Sequence, residues 1–364
     1  MEVPVNLSRS LLCTDSALKA NWIDWFRLGL ALLVLFSHSF PLTGNGDDEL
    51  MSQLSRNQQS LARLALDGFF IISGFLIVRS WFSVNSLWVY LQHRMLRIHP
   101  AYIFALLVSL AFGLFAANNP HEYWHDISLR RLVFSMFTLD YGVLDAPKTA
   151  FADNPYPGVV NGSLWTLQYE FMAYLAVALY GLAGLYRRRV IGLLVVLTVL
   201  AFYWHTILQD LDPKPGLRFG VFFVTGAACY LYRDVLPRSR WLFWLALATL
   251  IAALFVPPCL SMLLPVCAPY ALLYVALLPA RPRGHWISRA DFSYGTYLYA
   301  WPIQQMLVRQ LHLKHWLSLF ALAMPLTLLC AGASWFGIEK WCLRLKSRRS
   351  ISRRSQPLPA MIGS

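Results

Sequence analysis

Charged residues are scarce in this sequence, at 13% of the total against about 25% in a typical soluble domain. Of the 364 residues, 57% are hydrophobic. The length would suffice for two soluble domains, but no polar stretch is long enough to fold as one. Apolar runs of bilayer-crossing length instead recur from end to end. The shortage of charge therefore argues against a soluble protein and indicates one membrane domain with short tails.

Paired cysteines and internal repeats are also lacking. The six cysteines are scattered, and none forms a C-x-x-C pair of the kind used in zinc and redox motifs. The absence of a repeat removes the symmetry that many transporters show. One metal-site pattern occurs, HEYWH at 121–125, which puts two histidines on one helical face but has no evident third ligand. We predict no bound metal.

The apolar runs predict an all-α, polytopic membrane helix bundle with about ten transmembrane helices. The predicted spans are 22–41, 66–83, 99–117, 162–185, 190–208, 217–233, 241–257, 263–279, 291–309 and 317–338. Prolines near residues 257 and 265 leave open whether two of these form one broken helix. The apolar stretch at 132–145 is too short and interrupted to span, so we predict that it is interfacial or re-entrant.

The basic residues indicate the orientation of this bundle. The net charge is +13, and most of the 31 lysines and arginines fall on one side if the N-terminus is cytoplasmic. Because basic residues favour the cytoplasmic side, both termini are predicted to be cytoplasmic. Residues 1–21 would be a cytoplasmic segment, 22–340 the transmembrane domain, and 341–364 a basic, disordered tail. The expected partner of these basic clusters is the lipid bilayer and not nucleic acid.

Two ionisable residues of the first predicted span stand out, because buried ionisable groups in membranes are costly and often functional. Arg27 and His38 are eleven residues apart. At 100° per residue this separation is close to three full turns, so both side chains leave one helical face. Their Cα atoms would lie about 16.5 Å apart along the axis. We predict that the two side chains line a shared cavity.

Glu170 is a third buried ionisable residue. It lies seven residues after Ser163, which puts both on one helical face. Two interpretations stay open. Glu170 is either a buried carboxylate paired with an arginine of the bundle or a residue that supports catalysis.

Motifs ordered along nearly the whole chain resemble the signature of the acyltransferase-3 family. Arg27 and His38 match the first, and the others are LDGFFIISGFLIVRSW (66–81), HRMLRIHPAYIF (93–104), SLWTLQYEFMAYL (163–175), FSYGTYLYAWPIQQ (292–305) and IEKW (338–341). The sequence departs from the family at Ala300, where many members have histidine, and at Trp341, where many have proline.

The resemblance implies a membrane O-acyltransferase, and more narrowly an acetyl-CoA-dependent O-acetyltransferase of cell-surface or exported glycans. Acetyl-CoA would be a co-substrate, with no permanently bound cofactor. The acceptor would be a glycan or a lipid-linked oligosaccharide, and polysaccharide-assembly proteins are candidate partners. The chain resembles the stand-alone type that acts on exopolysaccharide, lipopolysaccharide or signalling oligosaccharide in the bacterial inner (plasma) membrane.

The resemblance also suggests roles for individual residues, with His38, Arg27 and Glu170 as the catalytic ones. Arg94, Arg97 and Arg27 would bind the anionic donor, because guanidinium groups match phosphate oxygens. His38 would act as general base on the sugar hydroxyl, although a histidyl acyl-enzyme stays open. Glu170 would orient His38 or pair with an arginine.

Three aromatic residues, Trp165, Tyr169 and Tyr174, are candidates for binding the sugar by stacking. Plain packing of these rings inside the bundle is the alternative.

Two other functions remain as alternatives. A membrane transporter would also use buried charges and broken helices. An acyl-group channel serving polysaccharide export would share the donor site but would not modify the sugar by itself. A metalloprotease at 121–125 is the least favoured interpretation.

Overall fold

The computed structural model describes residues 21–84, 86–144, 149–279 and 291–344. These residues form helices and contain no β-strand. The helices are α1 (Ile23–Leu42), α2 (Leu50–Leu54), α3 (Leu61–Phe82), α4 (Leu87–Ala116), α5 (Pro120–Asp126), α6 (Leu129–Thr138), α7 (Thr166–Leu182), α8 (Arg189–Leu208), α9 (Pro215–Leu231), α10 (Arg240–Ala253), α11 (Cys259–Ala276), α12 (Phe292–Leu311) and α13 (Trp316–Ser334). Nearly all of the predicted terminal segments, 1–21 and 341–364, lies outside the described residues.

Six helical segments of the described chain are long and apolar enough to cross a membrane. They are Ile23–Leu42, Leu61–Phe82, Leu87–Ala116, Arg189–Leu208, Cys259–Ala276 and Trp316–Arg344. The helices α9 and α10 are apolar but shorter. The all-α fold and its multi-pass membrane character are therefore confirmed, while the count of about ten spans and the cytoplasmic side of the termini stay predictions.

The element boundaries follow from local sequence. Ser60 and Ser239 cap α3 and α10, since each side-chain oxygen accepts a hydrogen bond from a backbone N–H of the first turn. The helix α10 ends at Ala253 and α11 begins at Cys259, so the proline-rich region separates two helices. Within the predicted interfacial stretch 132–145, helix α6 ends at Thr138, and Leu139 adopts a left-handed conformation.

The backbones of helices α3 and α9 lie in close contact at two glycines. A Cβ on Gly74 would collide with the carbonyl oxygen of Phe223, and a Cβ on Gly226 would collide with that of Ile71. Glycine therefore allows direct backbone contact between these helices, as small residues do in membrane bundles.

An ion pair also joins α3 and α9. Asp67 of α3 accepts hydrogen bonds from Arg218 of α9 at 2.7 and 2.9 Å, and both side chains are buried. Because the two charges neutralise each other away from solvent, we assign Asp67 a structural role in joining α3 to α9.

Burial separates the centre of the bundle from its periphery. The helix α1 packs against α3, α12 and α13, and most residues of α12 are buried. By contrast, α8 and α10 expose large apolar side chains, among them Leu197 and Trp241. In a membrane protein such exposed apolar side chains face lipid.

Candidate functional site

The site is built around α1, which carries both predicted key residues. Arg27 lies in its first turns and His38 near its end. The two side chains line different cavities at opposite ends of the helix. We call these the arginine cavity and the histidine cavity.

The arginine cavity has a volume of about 710 Å³. It lies between α1, α3, α4 and α7, beside the start of α12. Its lining residues are Arg27, Ile72, Ser73, Leu76, Ile77, Arg79, Ser80, Ser83, Val84, His93, Arg94, Arg97, Glu170, Tyr174, Asp291 and Leu343. The three arginines predicted to bind the donor thus share one cavity, with Arg79 as a fourth. Arginines outnumber carboxylates on its wall, so the cavity favours anions.

A carboxylate joins two of these arginines. Asp291, the N-cap of α12, pairs with Arg27 at 2.6 Å and also with Arg97. Ser293 donates its backbone N–H and its hydroxyl to the other oxygen of Asp291. The carboxylate therefore holds guanidinium groups from α1 and α4 together at the start of α12.

Arg94 is held separately from this cluster. Its guanidinium donates a hydrogen bond to the Ser80 hydroxyl at 3.1 Å and lies 5.6 Å from the centre of the Tyr174 ring. The cation therefore rests on an aromatic face, and within the described residues its Nε is buried without a hydrogen-bond partner.

Glu170 also lines the arginine cavity. Its Oε1 accepts a hydrogen bond from the Tyr174 hydroxyl and another from Ser73 at 3.5 Å. Neither His38 nor an arginine is among these partners. Both contacts proposed for Glu170 from the sequence therefore stay predictions.

A small pocket of about 40 Å³ lies between the two cavities, and we call it the connecting pocket. It shares Arg27, Ser73 and Glu170 with the arginine cavity. It is also lined by Thr166, the chain neighbour of Trp165 in the histidine cavity, although it shares no lining residue with that cavity. Along α12 its residues lie between Asp291 of the arginine cavity and Trp301 of the histidine cavity. Its other lining residues are Leu66, Phe69, Phe70, Leu167, Ser293, Tyr294 and Tyr297.

The histidine cavity is the largest of the three, at about 1030 Å³. It is lined by His38, Pro41, Tyr141, Tyr156, Pro157, Gly158, Val159, Gly162, Trp165 and Trp301. The ring centroids of His38 and Trp301 lie 4.8 Å apart, with the two planes nearly perpendicular. Within the described chain, Nδ1 of His38 is buried and has no hydrogen-bond partner. An imidazole in this position can exchange a proton with a bound hydroxyl group.

Two groups of residues that the sequence analysis placed together lie in different cavities in the structure. Arg27 and His38 were expected to line one shared cavity, whereas they line two cavities with the connecting pocket between them. The predicted sugar-binding aromatics separate in the same way. Trp165 lines the histidine cavity, Tyr174 lines the arginine cavity, and Tyr169 packs against Trp165 and Phe219.

Sequence reasoning missed several residues of these cavities. Four of them were not singled out from the sequence as site residues: Asp291, Tyr141, Tyr156 and Trp301. Trp301 lies within the quoted motif at 292–305, and Tyr156 lies in the loop that leads to the motif at 163–175. Their position beside these motifs was the available signal.

The HEYWH segment lies in α5, a helix of seven residues, Pro120–Asp126. In the described ranges, His, Cys, Asp and Glu side chains form no group of three or more that could hold a metal ion. This helix lines none of the three cavities described above.

Residues 20–336 match the family model described as an acyltransferase domain of the acyltransferase-3 type. The chain belongs to the acyltransferase-3 family. Two relatives are similar over nearly their whole length. An "O-acetyl transferase" of Shigella phage Sf6 is 26% identical over 342 residues, covering 88% of this chain and 96% of the relative. "Nodulation protein 10" of Rhizobium leguminosarum bv. viciae is 26% identical over 369 residues, covering 92% and 96%. No solved structure matches significantly.

Proposed function

We propose that this family member transfers an acetyl group from acetyl-CoA to a hydroxyl group of a cell-surface or exported glycan. Membership of the family and the name of the phage relative support membrane O-acylation. One observation carries the finer proposal. Arg27 and His38 line two cavities at opposite ends of one helix, and a connecting pocket lies between them.

The donor binds in the arginine cavity as a co-substrate. Coenzyme A carries several phosphate groups, and arginine binds phosphate oxygens through paired N–H donors. Arg94, Arg97 and Arg27 supply such donors from two helices. With the predicted orientation this cavity faces the cytoplasm, where coenzyme A is made.

The thioester end of the donor extends from the arginine cavity toward His38. The separation of Arg27 and His38 along α1, about 16.5 Å, suits a long, thin arm. Because the connecting pocket is only about 40 Å³, its side chains must move apart when the arm enters. Phe69 and Tyr297 line this pocket, with ring centroids 5.9 Å apart.

The chemistry takes place at His38. Its imidazole removes the proton from the acceptor hydroxyl while the oxygen attacks the thioester carbonyl. The carbon–sulfur bond breaks, and the coenzyme A thiolate takes the proton back from the imidazolium. The products are an O-acetyl ester and free coenzyme A. We assign Glu170 a supporting role through its hydrogen bonds with Tyr174 and Ser73.

The proposed location is the bacterial inner membrane, where an outward-facing histidine cavity meets a glycan or lipid-linked oligosaccharide. Polysaccharide-assembly proteins are the partners that would deliver such an acceptor.

The test uses purified protein in lipid nanodiscs, acetyl-labelled acetyl-CoA and surface glycan from a strain that lacks this gene. We expect label in the glycan with the wild type. His38→Ala should lower transfer by about 100-fold or more, because general base catalysis typically contributes that much. Its Kd for acetyl-CoA should be nearly unchanged.

His205→Ala is the matched control, because His205 is exposed on α8 and lines none of the described cavities. It should transfer at the wild-type rate. Wild-type transfer by His38→Ala would contradict the mechanism. In proteoliposomes, glycan crossing the membrane without covalent label would favour the transporter alternative.

A further inference from the structure

The described residues that line the histidine cavity include no side chain with a permanent formal charge, and His38 is neutral when it acts as a base. Of the ten described lining residues, none is Asp, Glu, Lys or Arg. The arginine cavity, at the other end of α1, presents four arginines and two carboxylates. The arginine cavity therefore favours anionic ligands, whereas the described wall of the histidine cavity offers an anion no arginine or lysine. An anionic group that enters an aromatic wall without a counter-charge loses hydration and gains no partner.

The uncharged wall is also preorganised. The indole N–H of Trp301 donates to the carbonyl oxygen of Val159 at 3.1 Å. Gln305 donates to the carbonyl oxygens of Tyr156 and Val159 at 2.8 and 3.0 Å, and Asn154 donates to Gln305. These bonds tie the loop before α7 to α12. The cavity is therefore formed before any ligand arrives.

Gly162 lets the indole of Trp301 reach its position. A Cβ at residue 162 would lie only 2.8 Å from the indole ring, closer than ordinary contact. The indole in turn makes nearly perpendicular ring contacts with both His38 and Tyr156, with centroid separations of 4.8 and 5.3 Å. Trp301 therefore fixes the imidazole relative to the aromatic wall.

The exposed part of that wall is a set of aromatic surfaces. Tyr156 is 40% exposed, and Tyr141 and Trp165 are half-buried. Aromatic faces stack on the apolar C–H faces of a sugar ring, while tyrosine hydroxyls bond to its hydroxyl groups.

We propose that the acceptor is a glycan whose reacting residue is a hydroxylated ring without anionic groups, that is, without carboxylate or phosphate. The ring stacks on Tyr156, Tyr141 and Trp165 and presents one hydroxyl to His38. This inference rests on the proposed function, because it assigns the acceptor to the histidine cavity.

The experiment measures binding without any acyl donor, so it does not depend on turnover. The probes are the methyl glycosides of glucose, galactose and mannose, the matching 6-carboxylates, and the methyl esters of those carboxylates. Wild-type protein in nanodiscs is titrated with each probe by saturation-transfer difference NMR. In each series that binds, the glycoside and the ester should bind, and the carboxylate should bind at least about tenfold more weakly.

A carboxylate that binds as tightly as its own ester would overturn the inference, because the two differ mainly in charge. Failure of all neutral glycosides and esters to bind would overturn it too. If binding follows the expected order but no acetyl transfer occurs when acetyl-CoA is added, the preference of the histidine cavity for sugars without anionic groups stands, whereas the proposed function fails and the bound sugar is not an acceptor.

Variants of Tyr156 test the stacking. Its contacts with Gln305 run through the backbone, so side-chain substitution leaves them in place. Tyr156→Ala should weaken glycoside binding roughly tenfold, whereas Tyr156→Phe keeps the ring and most of the affinity. Trp241→Ala removes an aromatic ring that is 73% exposed on α10 and should change nothing. Full binding by Tyr156→Ala would overturn the assigned stacking surface.

Discussion

Arg97 is the residue through which the donor proposal is most directly tested. It lines the arginine cavity, pairs with Asp291 and is half-buried, so a ligand phosphate would gain a guanidinium shielded from water. Because charge-assisted hydrogen bonds contribute about 1.5–3 kcal/mol, Arg97→Ala should raise the Kd for acetyl-CoA by roughly 10- to 100-fold. Isothermal titration of the purified variant measures this change.

Two further variants make that measurement specific. Arg97→Lys keeps the charge but loses the planar pair of donors, so its Kd should lie between those of the wild type and Arg97→Ala. Arg189→Ala removes an arginine that is half-exposed and paired with Asp234 outside the cavity, and it should bind acetyl-CoA normally. Equal Kd values for Arg97→Ala and Arg189→Ala would contradict the donor site.

Tyr174 and Tyr169 allow a comparison between a tyrosine in the proposed donor site and a tyrosine that only packs. The Tyr174 hydroxyl bonds to Glu170 inside the arginine cavity, whereas Tyr169 packs its ring against Trp165 and Phe219. Without the Tyr174 hydroxyl, the Glu170 carboxylate becomes free to compete with the donor for an arginine. Tyr174→Phe should therefore weaken acetyl-CoA binding about three- to tenfold, the effect of one hydrogen bond.

Tyr169→Phe serves as the comparison in the same titration. Its Kd for acetyl-CoA should match that of the wild type, because the ring packing is retained. A larger loss from Tyr169→Phe than from Tyr174→Phe would contradict these assignments.

At the scale of elements, the contact between α3 and α9 makes the sharpest prediction about stability. Because a Cβ at residue 226 would collide with the backbone of α3, Gly226→Ala must push the two helices apart. Overpacking of this kind typically costs about 1–3 kcal/mol. The thermal unfolding midpoint in detergent should fall clearly.

The helix α9 supplies its own control. Nothing lies within 4 Å of a Cβ built on Gly220. Gly220→Ala should leave the unfolding midpoint unchanged or raise it, since alanine favours a helix over glycine by about 1 kcal/mol. If Gly226→Ala were as stable as Gly220→Ala, the described approach of α3 and α9 would be incorrect.

At the scale of the whole molecule, the prediction concerns which cavity is accessible to water from each side of the membrane. If the N-terminus is cytoplasmic, the arginine cavity opens to the cytoplasm and the histidine cavity to the outside. In a variant whose six native cysteines are replaced, Tyr156→Cys should react with a membrane-impermeant maleimide on intact cells. Ser83→Cys, in the arginine cavity, should react only in inverted vesicles.

The parent variant without cysteines must stay unlabelled in both preparations. Labelling of both positions from one side would show that the cavities do not face opposite sides. Reversed labelling would instead show that the orientation predicted from the basic residues is inverted.

The sequence by itself determined the helical membrane character and the family, because both depend on local sequence patterns. Each of the ten predicted spans overlaps a helix of the structure, and residues 20–336 match the family model. Helix formation depends on neighbours a few residues apart, so apolar runs, caps and prolines were enough. The placement of Arg27 and His38 on the same face of α1 likewise follows from their spacing alone.

Only the tertiary structure decided how these residues are divided in space. Asp291 meets Arg27 and Arg97 across 264 and 194 residues of sequence. No local pattern encodes such contacts, because they depend on how α1 and α4 each pack against α12. The same packing created two cavities instead of one, and it brought Trp301, Tyr156 and Tyr141 to His38. Periodicity describes one helix at a time, whereas a cavity exists only between several.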